Sequence, residues 1–245
     1  MKRFAAYSLT IVYYFFFVGC LLFFHVLQVI SLRVFGYQAH KKSVDFLNFM
    51  LMRCLNLLGT RIDFGPLPDL PKDRPLIIVS NHQSTYDIPP IIWYFRAYHP
   101  KFISKKELGK GIPSVSYNLN HGGSVLIDRK DSEGALQAIA AFGQRIEKNN
   151  WSAVIFPEGT RSKTGEPRRF QRNGLKTLLK HMPRALLVPV SINHSWRLGQ
   201  YNYFPMPLGV TIRFRVGDVL NPKDYSEDDL LDRIEDTVKK GIESI

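Results

Sequence analysis

LIIVSNHQSTYDIPP, residues 76–90, decides how this 245-residue chain is read. Leu76 to Val79 are a short apolar run that reads as a strand, and Ser80 and Asn81 carry it into a turn. Ile88-Pro89-Pro90 then opens a helix, because proline is tolerated in a first helical turn, where its missing N–H has no intrahelical partner. The stretch is therefore strand, turn and helix, with a helix expected over about 84 to 96.

The same grammar repeats outward. Lys101 to Ser104, Ser124 to Ile127, Ala153 to Phe156, Leu186 to Ile192 and Val210 to Val216 read as strands, and Arg61 to Phe64 as a short one. Helices are expected near 132 to 148, with Ser132 as a cap, and near 173 to 181. Ser226-Glu-Asp-Asp is a capping-box pattern ahead of a last helix with Leu230, Leu231, Ile234, Val238 and Ile242 on its apolar face. Such alternation predicts an α/β fold with a mixed, mainly parallel sheet flanked by helices.

Upstream, Phe4 to Leu32 is almost continuously apolar and aromatic, longer than the roughly 20 residues a bilayer-spanning helix needs. It is too long for a signal-peptide core, and no small-residue cleavage site follows it. A buried soluble helix would need a core able to cover Tyr13, Tyr14 and five Phe on every side. The expectation is an N-terminal hydrophobic membrane helix or re-entrant hairpin. An amphipathic helix follows at Val44 to Leu58, closed by Gly59. Residues 1–40 are thus expected to form a membrane-associated helical segment and residues 41–245 the α/β domain.

Thirty-three Lys and Arg against 21 Asp and Glu give a formal charge of +12, so the surface should attract something anionic. Cys20 and Cys54 lie in apolar runs, which offers neither a disulfide framework nor a zinc-ligand spacing. No metal or other cofactor is expected. The basic residues have no interleaved aromatic platform, and no nucleic-acid motif is present, so nucleic acid is not the expected partner.

His82 and Asp87 are the first chemical pair. A histidine takes a proton near neutral pH, and a carboxylate on its other ring nitrogen fixes the tautomer and stabilises the imidazolium. No Ser or Cys stands at a nucleophile-elbow spacing, so direct attack by a substrate hydroxyl is the simpler chemistry. The pair recurs by chance in unrelated chains and gains meaning from its company. Strand Ala153 to Phe156 runs into Pro157-Glu158-Gly159-Thr160-Arg161-Ser162, which joins a carboxylate, a flexible glycine and a forked guanidinium suited to a phosphate. Lys105, Lys106 and Arg129 follow two further strands. Ligands of open α/β sheets collect beyond the carboxyl ends of strands, so four segments should converge on one crevice.

NHQSTYD (81–87), GGSVLIDR (122–129), FPEGTRS (156–162) and VPVSI (188–192), in this order, resemble the four motif blocks of the glycerolipid acyltransferase family, specifically its 1-acyl-glycerol-3-phosphate acyltransferases. The resemblance implies that His82 is the general base and that Asp87 orients it. It implies acyl-CoA or acyl-carrier protein as donor and a lysophospholipid as acceptor. Glu158, Gly159, Thr160 and Arg161 would bind the acceptor, with Arg129 in the second block and Lys105 or Lys106 holding phosphate. An ion pair of Arg129 with Asp128 or Asp131 is the competing reading. The product would be phosphatidic acid, for phospholipid biosynthesis, made at a membrane with the active site facing the cytoplasm, the inner membrane if the source is bacterial.

One stretch departs from that pattern. After the third block the family has a Phe-Lys-x-Gly turn, whereas this chain reads Phe170-Gln-Arg-Asn-Gly174. Asn193 to Pro207 is unassigned and either shapes the acceptor pocket or closes a loop. A different lysolipid, such as lyso-ornithine lipid or a lysophosphodiester, is therefore the alternative acceptor. The basic run from Arg161 to Arg184 is expected to meet anionic lipid or an acidic carrier protein.

Overall fold

The computed structural model describes residues 2–243; Met1 and 244–245, the outermost ends of the two expected segments, lie outside the described residues. Seven strands form one sheet in the order β1-β7-β6-β2-β5-β3-β4. They are β1 (Arg61–Phe64), β2 (Leu76–Ser80), β3 (Pro100–Lys105), β4 (Val125–Ile127), β5 (Ser152–Ile155), β6 (Leu186–Asn193) and β7 (Thr211–Val216). Every pairing is parallel except β6 with β7, so the sheet is mixed and mainly parallel.

Both faces are covered, which is why β2, β5 and β6 are buried at every position. On one face, α5 (Ser132–Asn149), α6 (Arg172–His181) and α7 (Glu227–Lys240) bury Ile139, Phe142, Leu178 and Ile234 against Ile77, Val79 and Ala153. On the other, α2 (Tyr37–Asn56) and α3 (Ile88–Tyr94) cover Leu76, Ile78 and Val190. Each fully buried aliphatic side chain here contributes roughly 1.5–3 kcal/mol.

The first helix, α1 (Lys2–Phe35), turns at Gly36 into α2. Gly36 has φ +77°, a conformation glycine adopts without steric cost. Leu21 and Phe24 meet Leu47 and Leu51, and the Cys20 and Cys54 sulfurs lie 3.8 Å apart, so the two helices run antiparallel as a hairpin. Among the described residues of α1 only Thr10, Tyr13, Leu21, Phe24, Gln28 and Ser31 are buried, a narrow seam, whereas Phe4, Phe15, Phe23, Val34 and Phe35 stand more than 60% exposed. By length and composition α1 is able to cross a membrane. At roughly 1.5 Å per residue its 34 residues reach about 51 Å, beyond a hydrocarbon core of roughly 30 Å.

Some boundaries differ from expectation. The second helix begins at Tyr37 rather than Val44, because its first two turns bury polar His40 and Ser43 and so hide the apolar period. Residue 40, the expected segment boundary, lies inside this helix. The helix expected over 84 to 96 is a 3-10 turn at Thr85–Asp87, then α3, then a second 3-10 turn at Arg96–Tyr98. A short α4 (Val115–His121) was not foreseen in the sequence.

Candidate active site

Because β2, β3, β4, β5 and β6 run parallel, their carboxyl ends share one edge of the sheet. His82 follows β2, Glu158 to Arg161 follow β5, Lys105 ends β3, Arg129 follows β4 and Ser195 follows β6. The register sets Val79 beside Ile155 and Lys105 beside Ile127. The sequence candidates therefore lie at or just beyond the carboxyl ends of strands along one edge of the sheet.

Asp87 is fully buried, and its Oδ2 accepts three hydrogen bonds: from His82 Nδ1 at 2.8 Å, from Gln83 N at 2.7 Å and from Ser84 N at 2.8 Å. Its Oδ1 accepts the Ser195 hydroxyl. Oδ2 already faces two backbone N–H donors and so serves as an acceptor, and the matching histidine tautomer donates from Nδ1. The protonated Nδ1 leaves Nε2 as the acceptor. Nε2 makes no hydrogen bond among the described residues, and the side chain is 17% exposed. The imidazole stacks on Phe156 with centroids 4.2 Å apart, which fixes the plane of the ring.

Glu158 is buried, with both oxygens on backbone amides: Oε1 accepts from His82 N at 2.8 Å and Oε2 from Arg168 N at 2.9 Å. Burial pushes its carboxyl above the usual carboxylate range, against the pull of those two amides. The His82 carbonyl in turn accepts Ser162 N at 2.8 Å, so the β2 and β5 turns are clasped together. Gly159, at φ +71°, lies under the Gln171 amide and offers its carbonyl to Arg129. That contact replaces the ion pair weighed for Arg129: neither Asp128 nor Asp131 bridges to it among the described residues. Thr160, Arg161, Lys105 and Lys106 are exposed at the rim, and Arg161 Nη1 reaches the Tyr203 hydroxyl at 3.4 Å.

The basic run divides in two. Arg172, Lys176 and Arg184 are paired with acids of α7 and α5. Lys105, Lys106, Arg161, Lys163, Arg168 and Arg169 make no ion pair among the described residues. Unpaired positive charge is thus present on the segments that follow β3 and β5.

Sequence reasoning missed Ser195 and assigned no role to Asn81. Asn81 accepts from Ile192 N at 2.7 Å and donates to Ile192 O at 2.9 Å, which ties the turn after β2 to β6. Its only signal was its place in the NHQSTYD block.

A histidine with a free Nε2, backed by a carboxylate and flanked by exposed basic side chains, is an arrangement able to take a proton from a hydroxyl group. The chain belongs to the Acyltransferase family, whose model matches residues 61–193, just over half of it. It is 39% identical over 133 residues to the 1-acyl-sn-glycerol-3-phosphate acyltransferase of Helicobacter pylori, covering 51% of this chain and 54% of that one. It is 29% identical over 207 residues to the enzyme of the same name from Borreliella burgdorferi, covering 81% and 80%. The chain thus matches about half the length of the first of these relatives. The crystal structure of the 1-acyl-sn-glycerophosphate acyltransferase PlsC from Thermotoga maritima superimposes with a TM-score of 0.81 over 98% of this chain and 96% of that one. At 24% identity that likeness shows a common fold.

Proposed function

We propose that the protein transfers a fatty acyl group from a thioester donor, acyl-CoA or acyl-carrier protein, to the free hydroxyl of 1-acyl-glycerol-3-phosphate, giving phosphatidic acid. The observation that carries the reading is the His82–Asp87 pair, hydrogen-bonded at Nδ1 and open at Nε2. Nε2 removes the proton of the acceptor hydroxyl as its oxygen attacks the thioester carbonyl. The tetrahedral intermediate collapses, the C–S bond breaks, and the imidazolium returns its proton to the leaving thiolate. Asp87 stabilises the imidazolium between these steps. No acyl-enzyme is formed.

Arg161 binds the acceptor phosphate as a fork, and Lys105, Lys106 and Arg129 add positive charge to the rim. Gly159 and Thr160 shape the turn between them. Glu158 acts as a positioning residue, since its carboxylate is engaged by the amides of His82 and Arg168. The α1–α2 hairpin embeds in an anionic membrane, on which the exposed apolar face of α1 is buried, and the active site faces the cytoplasm. The names of the relatives support the choice of acceptor.

A mass-spectrometric screen of the purified protein against a panel of lysolipids, with both donors, tests the assignment. Phosphatidic acid should be the dominant product, with release of free thiol. Preference for a lysolipid that lacks a phosphomonoester would overturn it.

A further inference from the structure

Nineteen large apolar side chains stand exposed among the described residues, and outside residues 1–58 they are only Leu108, Tyr201, Phe204 and Leu208. Three of these four sit in one loop between β6 and β7, in and just beyond the stretch that neither the motifs nor the chemistry absorbed. The loop alternates: Phe204 and Leu208 face outward, and Met206 between them is fully buried.

Its placement is fixed by contacts to the hairpin. Tyr14 Oη donates to Tyr203 O at 2.9 Å, Met206 N donates to Thr10 Oγ1 at 2.9 Å, and Gly209 N donates to Leu58 O at 2.9 Å. The Phe204 ring meets Tyr7 of α1 edge-on at 5.5 Å. The exposed aromatic surface of the loop therefore continues the exposed face of α1, where Phe4 and Ile11 lie. Asn202 (φ +50°) and Tyr203 (φ +65°) both adopt the left-handed region, which a bulky residue rarely enters. This backbone turns Tyr203 inward to Arg161 while its neighbours Tyr201 and Phe204 point out.

We propose that the Tyr201–Leu208 loop is a second membrane-contacting element, lodged in the bilayer surface beside the amino-terminal half of α1. It rests on the reading of α1 as membrane-embedded. The partner is the lipid surface itself, because the loop is continuous with the long apolar face of α1 and its aromatic side chains suit the interfacial layer. Through Tyr203, the same loop joins the membrane surface to the guanidinium at the crevice.

The test uses full-length protein carrying Cys20→Ser and Cys54→Ser, with single cysteines introduced at Tyr201, Leu208, Phe15 or Glu133 and labelled with an environment-sensitive dye. Vesicles contain phosphatidylcholine and phosphatidylglycerol, with or without a shallow spin-labelled lipid. The labels at 201 and 208 should brighten several-fold on vesicles and be quenched by the spin label, as should that at 15, while the label at 133 on α5 stays aqueous. Labels at 201 and 208 that stay aqueous while 15 is quenched overturn the proposal and leave the embedded hairpin intact. An unquenched label at 15 removes the reading of α1, and the proposal with it. Labels at 201 and 208 that stay aqueous on protein-free vesicles and become buried only in native membranes indicate a protein partner and overturn it too.

Discussion

Ser195 donates its hydroxyl to Oδ1 of Asp87 across 108 residues of sequence, because β6 runs parallel to β2 and ends beside it. Asp87 keeps its three other donors without it, so Ser195→Ala should leave the fold and the ion pair standing. One hydrogen bond to a charged group is lost, and turnover should fall about tenfold with little change in acceptor KM. Steady-state kinetics on purified protein checks the split; a change in KM alone would assign Ser195 to substrate binding.

Among the described residues Arg161 has only a long contact, to Tyr203, and its side chain is exposed. Arg161→Ala should raise the KM for 1-acyl-glycerol-3-phosphate about ten- to hundredfold, the equivalent of roughly 1.5–3 kcal/mol, and barely affect that for the acyl thioester. Arg161→Lys should recover part of the loss, because a point charge lacks the fork. Unchanged acceptor kinetics in the alanine variant would remove the phosphate assignment.

Glu158→Gln supplies one acceptor oxygen where two amides, those of His82 and Arg168, each need one. A buried N–H left facing an amide NH2 costs roughly 1–3 kcal/mol, and the His82 turn should loosen. The expected result is a lower denaturation midpoint together with a fall in kcat. Wild-type kcat in this variant would mean that Glu158 does not position the base.

Lys101 is 7% exposed and makes no ion pair among the described residues; its ammonium rests over Tyr37 and Trp151 at 5.1 Å from each ring. Burial lowers its pKa from 10.5 to about 8, against the attraction of Asp45. Between those two values the unfolded chain holds a proton that the folded chain has released, so stability rises as pH climbs from about 8 toward 10.5. Below about 8 the full cost of burying the charge is present. Lys101→Met should therefore stabilise the protein at neutral pH by up to about 3 kcal/mol, with the advantage shrinking above pH 8. Denaturant titrations in detergent at several pH values check both the sign and the trend.

The strands were legible because a sheet covered on both faces writes its central members as unbroken apolar runs, as in Leu76 to Val79 and Leu186 to Ile192. Two of the motif blocks, NHQSTYD and FPEGTRS, sit directly behind such runs, which is why the sequence places them at strand ends. What escaped the sequence depends on pairing between distant segments. Ser195 reaches Asp87, and Asn81 grips Ile192, only through the parallel register of β2 and β6. Arg129 finds the Gly159 carbonyl rather than a neighbouring aspartate, because β4 and β5 end on the same edge. The start of α2 was hidden by the polar residues it buries, and the paired state of Arg172 and Lys176 by acids some fifty residues away on α7.

In the proposed reaction His82 takes the proton from the acceptor hydroxyl without an acyl-enzyme. The measurement that tests it most directly follows transfer of a labelled acyl group from its thioester to 1-acyl-glycerol-3-phosphate, in wild type and in a folded, membrane-bound His82→Ala variant. Turnover should fall about a hundredfold or more in the variant, with no label retained on either protein after denaturation. Near-normal turnover in His82→Ala, or a stable acyl label on the wild-type chain, would contradict it.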